Sequence, residues 1–309
     1  MSAKSTTSSA SAKSVTSASF LSKPGEWPWW LIAAIGLVIY LVYLVLTDAE
    51  TRSSFWFLLG QTPEDLRFGQ LAFKGIVITL TIAIFGYLIA MMLGLLLGLM
   101  RTSSNPFLYN VASFYVEIIR GVPMLVLLLY VAFVLAPPIT PFFAAIANIF
   151  VSVGNLLFYQ TGLMSAPFRT VTTIANQWRA MIALGLGYAA FEAEVFRAGI
   201  QSIERGQYEA GRALGLSYFQ MMRYVILPQA IRRVLPALGN DFISMVKDSS
   251  LASVLGVQDM TQLAKLVASG NFLYMQTLTL LAFVYLTIVV LLTRLLRVME
   301  RRLQRVYVR

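Results

Sequence analysis

Ionisable residues set inside apolar stretches carry the first chemistry in this sequence. One stretch contains Phe191-Glu-Ala-Glu-Val-Phe-Arg197, and another carries Asn240, Asp241, Lys247 and Asp248. A charged side chain facing lipid costs at least about 2.5–3.5 kcal/mol, so these groups must face a bundle interior, a cavity or one another. Glu194 and Arg197 share a helix face, whereas Glu192 points about 200° away from Glu194. Asp241 and Asp248 lie two turns apart on one face, with Lys247 beside the second. Both signs of charge at depth suit a small zwitterion, whose ammonium and carboxylate each need a partner. Glu194, Lys247 and Asp248, with neutral Asn240, are therefore candidates to line a substrate pathway. Structural ion pairing between helices is the alternative, and Arg197, near the inner surface, is read that way. Upstream, Glu117 and Arg120 are also three apart and precede Gly121 and Pro123. They read as a fixed ion pair at a hinge or as a plain helix entry, with Pro123 kinking the helix or marking its start.

A second segment of interest runs from Ile203 to Pro228, between two apolar stretches. Its fixed points are Glu209-Ala210-Gly211, Gly215 and Leu227-Pro228. The pattern predicts a short helix, a glycine break and a second amphipathic helix stopped by proline. Such an elbow cannot cross a bilayer. It lies on one face and offers Glu209 and an apolar edge to a soluble partner; a connecting loop with two surface helices is the blander alternative.

The elements that position these residues are membrane helices. The 309-residue chain is 58% hydrophobic and 12% charged, against about 25% charged in soluble domains. The runs Gly75–Met100 and Leu266–Thr293 hold no charge, and each is long enough to cross about 30 Å of hydrocarbon. A β-barrel would instead show short segments of alternating polarity. The expected fold is all-α, a polytopic helical bundle with spans at Trp29–Leu46, Leu71–Met100, Phe107–Ala136, Trp178–Ile200, Arg233–Leu255 and Phe272–Leu296. Pro137-Pro138 and Pro141 are expected to end the third span. Phe142–Phe158, with Asn148 and Asn155, then reads as a re-entrant or interfacial helix on the outer face rather than a seventh span. Gly94-Leu-Leu-Leu-Gly98 is a small-xxx-small pattern that permits close helix packing.

Basic residues set the orientation. Lys4, Lys13 and Lys23, then Arg101, then Arg205, Arg212 and Arg223, then Arg297, Arg301, Arg302, Arg305 and Arg309 fall on one side. By the positive-inside rule that side is cytoplasmic, so both termini and the elbow are expected inside. Residues 1–28, rich in Ser, Ala and Thr, read as a disordered cytoplasmic tail. Residues 29–47 form an extra N-terminal span, 69–303 the main transmembrane domain with its elbow at 203–228, and 304–309 a cytoplasmic C-terminal tail.

Several functions are excluded. The chain has no cysteine and no histidine, so disulfides, thiolate chemistry, a histidine-based triad and histidine metal or haem sites are absent. No metal site is expected. There is no Gly-x-x-x-x-Gly-Lys-Ser/Thr loop, so the chain should bind no nucleotide and carry no cofactor of its own. The net charge of +10 belongs to the flanks of spans in contact with lipid, not to a nucleic-acid surface.

The elbow resembles the EAA loop of ABC-transporter permease subunits, which docks into the ATPase. Gly211 stands where that loop has its second Ala, and Val225 where it has Ile. The resemblance covers about residues 69–302 and extends to four more motifs. Phe114-Tyr-Val-Glu-Ile-Ile-Arg-Gly-Val-Pro123 is similar to a motif of polar amino-acid permeases, the histidine/glutamine/glutamate/arginine type. So are Ala193–Ile203, the pair Leu227–Asn240 and Val246–Ser253, and Glu300-Arg-Arg-Leu303. The departures are Val122 and Ser249 in place of the commoner Thr, the added first span, and a long segment over residues 137–178. The resemblance implies a type I importer permease with a five-span core, in the bacterial cytoplasmic membrane, carrying a polar or charged amino acid. It implies a second permease chain, a cytoplasmic ATPase dimer that holds ATP and Mg, and an extracytoplasmic solute-binding protein. The docking residues would be Glu209, Ala210, Gly211, Gly215, Leu227 and Pro228. A permease for another small polar solute, such as an opine or a sulfur amino acid, is the nearest alternative; an ion-coupled secondary transporter is the next.

Overall fold

A computed structural model describes residues 29–52, 66–161, 166, 167 and 169–305. The expected tail over residues 1–28 and residues 306–309 of the C-terminal tail lie outside the described residues. The chain separates into two units, Met1–Arg52 and Ser53–Arg309. In the first, α1 (Trp29–Thr47) is an apolar helix of 19 residues, about 28 Å long at 1.5 Å per residue. The Asp48 carboxylate behind it accepts the Thr51 N–H at 2.9 Å.

The second unit is built from α2 (Leu66–Thr102), α3 (Pro106–Gly121), α4 (Met124–Tyr130), α5 (Ala136–Gly154), α6 (Asn176–Gln201), α7 (Arg205–Ala213), α8 (Tyr218–Met221), α9 (Leu227–Asp248), α10 (Met260–Asn271) and α11 (Tyr274–Arg305). No strand occurs among the described residues. Phe73–Thr102, Met124–Leu157 and Tyr274–Glu300 are long and apolar enough to cross a membrane on composition alone. The charges of α6 and α9 keep these two helices out of that class, although their 26 and 22 residues reach about 39 and 33 Å.

The α2–α6 pair is the most extensive contact of the unit. Small residues line it: Ala83, Ala90, Ala183, Ala189, Ala190 and Ala193 are all fully buried. The backbones approach so closely that a Cβ on Gly94 would lie 2.5 Å from Glu192 Cβ, and one on Gly98 2.9 Å from Phe196 Cβ. The Gly94–Gly98 spacing therefore serves this pair. Ile82, Leu128, Met181, Leu184, Met245 and Val246 close the core between α2, α4, α6 and α9.

The third expected span differs from the structure in two ways. First, Pro123 starts a new helix: Val122 and Pro123 are extended, and α3 ends at Gly121. Second, Pro137, Pro138 and Pro141 do not end the helix. A π turn over Val131–Leu135 lets the Ala136 N–H reach the Val131 carbonyl, and the two leading prolines then occupy the first turn of α5. The shifted register removes the demand for N–H donors that proline lacks. Phe142–Phe158 is thus the continuation of this helix and not a separate re-entrant one. Asn148, expected to mark that re-entrant helix, instead clamps the returning chain: its amide donates to Val171 O at 2.9 Å and its carbonyl accepts Val171 N–H at 2.7 Å. Arg179 at the start of α6 donates to Ala132 O at 3.2 Å, so α5 projects beyond that end of α6.

Replacing Gly94 by Leu should force α2 from α6 and cost about 1–3 kcal/mol of stability, read as a lower melting temperature of the purified chain in detergent. Gly206→Ala, with nothing within 4 Å of the added Cβ, serves as control. Indistinguishable melting of the two variants would disprove the close contact.

Candidate functional site

The elbow has the expected break but not the expected stop. The turn after α7 is made at Gly215, whose φ of +72° lies in the left-handed region that glycine enters without penalty. The Leu216 N–H closes the turn on Gly211 O at 3.1 Å. Ser217 then caps α8: its hydroxyl accepts Gln220 N–H at 3.3 Å, while the Gln220 side chain accepts Ser217 N–H at 2.9 Å, a reciprocal capping box. From α8 the chain passes through a π turn, Met222–Ile226, directly into α9, with Pro228 in its first turn. Pro228 was expected to stop this helix. The π turn carries the Leu227 N–H back to Met222 O, so proline is absorbed as it is at α5.

The elbow has a buried underside and a bare outer side. Ile200, Ile203, Met221, Met222, Ile226 and Ala230 form its own small core. The Tyr208 hydroxyl donates to Ile200 O at 3.2 Å, and the Arg233 guanidinium donates to the Ser202 carbonyl. Gly211 is buried against Met221. On the outside, Glu209, Ala210, Gly215 and Pro228 are exposed and Leu227 is half-buried. Leu214 and Phe219, 80% and 69% exposed, stand there with Tyr218 and Tyr224.

The charges at depth divide into two groups. Glu194 is held by three guanidiniums from three helices. Arg101 of α2 reaches Oε1 at 2.5 Å, Arg197 of α6 reaches Oε2 at 2.8 Å and Arg120 of α3 reaches Oε1 at 3.5 Å. Arg120 also lies over the Phe191 ring, 5.5 Å from its centroid. The expected Glu117–Arg120 pair does not form; Arg120 reaches across to Glu194 of α6 instead. Glu194, expected in the pathway, is instead the shared anion of a clasp. Arg101 was visible in the sequence only as a marker of the inner side.

The second group lies on α9. Ala237, Asn240, Asp241, Ser244, Lys247 and Asp248 fall within an arc of about 120° at 100° per residue, and none of them is buried. Lys247 forms no ion pair among the described residues, so it does not neutralise Asp248. Asp248 accepts instead the Tyr188 hydroxyl of α6 at 2.8 Å. Tyr188 was not singled out in the sequence; its place one turn before Glu192 on the same face was the available signal. A separate cavity of about 460 Å³ lies between α2, α9 and α11, among Tyr87, Gly239, Phe242 and Leu296. Its walls are apolar except for Arg232 and Glu300, which suits an aliphatic chain better than a zwitterion. No metal-binding cluster occurs among the described residues.

Residues 90–305 match the family described as binding-protein-dependent transport system inner membrane component. The chain is 34% identical over 239 residues to the glutamine transport system permease of Escherichia coli (strain K12), covering 76% of this chain and 93% of that one. It is 32% identical over 232 residues to an arginine transport system permease of Bacillus subtilis (strain 168), covering 75% and 91%. A crystal structure of an amino acid ABC transporter with histidines is similar at 33% identity and a TM-score of 0.60, covering 77% of this chain and 96% of that one.

The clasp makes a stability prediction. Glu194→Gln leaves three guanidiniums without their shared anion and should destabilise the chain by about 1–3 kcal/mol, seen as faster thermal inactivation in detergent, with Glu194→Asp intermediate. Unchanged inactivation of Glu194→Gln would remove the clasp from the account.

Proposed function

This chain belongs to the family of inner membrane components of binding-protein-dependent transport systems, and on that premise we propose that it is the permease through which a polar or charged amino acid enters the cell. It is a multi-pass protein of the inner membrane and a transport subunit. The observation that carries the substrate reading is the polar arc of α9. Asn240, Asp241, Lys247 and Asp248 on one face are too costly to set against lipid, so they line an aqueous path, and that helix is continuous with the elbow. Asn240, Lys247 and Asp248 supply groups of both kinds for an amino acid's ammonium and carboxylate. Glu194 has a positioning role through its arginines.

The outer side of the elbow docks the ATPase. Glu209 offers a charge, Leu214, Phe219 and Tyr224 offer apolar area, and Gly215 sets the angle between α7 and α8; Ala210, Leu227 and Pro228 shape the same surface, with buried Gly211 packed beneath it against Met221. ATP and Mg are held by that partner, an ATPase dimer. A second permease chain faces the α9 arc, and a solute-binding protein delivers substrate from outside. An elbow built into a pathway helix has no use in an ion-gradient carrier, which favours ATP coupling. The elbow and both termini lie in the cytoplasm.

Two measurements test this reading in membranes containing the chain, its ATPase and its binding protein. Glu209→Lys and Gly215→Val should lower ATP-driven amino-acid uptake about 5–150-fold, the range of a 1–3 kcal/mol coupling, while ATP hydrolysis persists. Undiminished uptake in both would sink the docking assignment. Because the chain has no native cysteine, Ser217→Cys and Thr172→Cys report orientation cleanly. An impermeant thiol reagent applied outside should label position 172 and spare 217, and the reverse pattern would invert the topology.

A further inference from the structure

The cavity between α2, α9 and α11 belongs neither to the polar arc nor to the elbow. Leu235, Gly239 and Phe242, which line it, stand about 180° round α9 from the arc of Asn240 and Asp248. Its volume of about 460 Å³ falls among pockets that enclose a small ligand, about 300–1,000 Å³. The Tyr87 hydroxyl in its wall donates to Leu238 O at 2.5 Å, so the interior presents no unsatisfied donor. Leu295 and Met299 on its rim are exposed, and the apolar stretch of α11 that carries them is only 6% buried. The space is therefore reached from the side that faces lipid.

The two charges of the cavity share one end. α10 has 12 residues and reaches about 18 Å, too short to cross about 30 Å of hydrocarbon. α9 and α11, on either side of it, therefore run in opposite directions. Arg232 is the first lining residue of α9 and Glu300 the last of α11, so both stand at the elbow end, where Arg232 lies in the second turn of α9. The lined stretches, residues 232–243 and 292–300, are about 16 and 12 Å long. Each is close to half the hydrocarbon thickness of about 30 Å, so the cavity is one leaflet deep. A transmembrane helix of a second chain would need a groove of the full thickness; one acyl chain does not.

We propose that this cavity holds an acyl chain of a membrane phospholipid whose zwitterionic headgroup lies at the rim between Arg232 and Glu300. The guanidinium donates to the phosphate in a charge-assisted hydrogen bond. The carboxylate accepts from a primary ammonium, as in phosphatidylethanolamine. Phosphatidylglycerol carries the same phosphate but sets no cation against Glu300. The chain packs on Pro236, which lines the cavity from inside α9 and supplies no N–H to the helix ladder. The lipid thus braces α9 at its weakest turn, on the face opposite the polar arc.

Lipid binding is measured on the purified full-length chain, without transport. The chain is reconstituted in vesicles of phosphatidylethanolamine and phosphatidylglycerol in equal amounts, then extracted and washed in detergent. Phospholipid retained per chain is counted by native mass spectrometry. The wild type should retain phosphatidylethanolamine at least about tenfold over phosphatidylglycerol. Leu235→Trp, which fills the cavity, should lower the retained phosphatidylethanolamine at least about tenfold. Leu291→Trp, on α11 but outside the cavity wall, should leave it unchanged. Arg232→Gln and Glu300→Gln should each move the headgroup ratio toward one. Retention of neither lipid by the wild type, or of both equally, overturns the proposal. So does the full wild-type amount in a Leu235→Trp chain that elutes like the wild type. If Leu235→Trp does not fold, a headgroup ratio unchanged in both Arg232→Gln and Glu300→Gln overturns it.

Discussion

The close approach of α2 and α6 is the constraint on which the rest of the unit depends. Lipid tails are as apolar as the side chains, so leaving lipid brings no hydrophobic gain; helices in a membrane associate through packing and polar contacts, and small residues are what allow their backbones near. Gly94 and Gly98 on one side and Ala189, Ala190 and Ala193 on the other bring the axes together. That proximity also allows Arg101 on α2 to reach Glu194 on α6 at 2.5 Å. The same contact seals Glu192 from water. Packing and charge placement are one arrangement here: a bulkier α2 would separate the clasp and open the interior at once.

Movement of the elbow is transmitted along a continuous backbone. Because a π turn over Met222–Ile226 absorbs Pro228, α8 and α9 form one rod that begins on the outer side of the elbow and ends at Asp248. Local rearrangement of such turns is inexpensive relative to unfolding a helix, so the rod can bend there without losing its bonds. A tilt imposed at Gly215 and Ser217 therefore reaches Asn240, Asp241 and Asp248 directly. The Ile200–Ala230 core under the elbow couples the same tilt to the end of α6, where the clasp sits.

Much of this was legible in the sequence, and the failures share a cause. Period and composition found the helices, the glycine break and the tight pair at Gly94 and Gly98, because each depends on residues a few positions apart. The prolines misled. Pro137, Pro138 and Pro228 were read as stops, yet a π turn one residue earlier turns each into a helix start. Nothing in Val131–Leu135 or Met222–Ile226 announces that turn. Charge pairing failed for a different reason. Glu117 and Arg120 have the right spacing for a local pair, but Arg120 is drawn to Glu194, 74 positions away, and a contact of that range leaves no local signature. Lys247 and Asp248 are neighbours in sequence and point apart because adjacent residues on a helix diverge by about 100°.

The two groups of charge then differ in kind. Around Glu194, three guanidiniums share one carboxylate, leaving an excess of positive charge that tethers α2, α3 and α6 at one end of the bundle. Around Asp241 and Asp248, carboxylates outnumber cations, and Asp248 takes its hydrogen bond from the neutral Tyr188 phenol. A closed hydrogen-bonded network belongs to a scaffold, because its carboxylate is fully answered within the chain. An open one belongs to a surface that waits for a partner. Setting the closed group beside the elbow and the open group farther along α9 separates the part that must hold its geometry from the part that must let its occupant go.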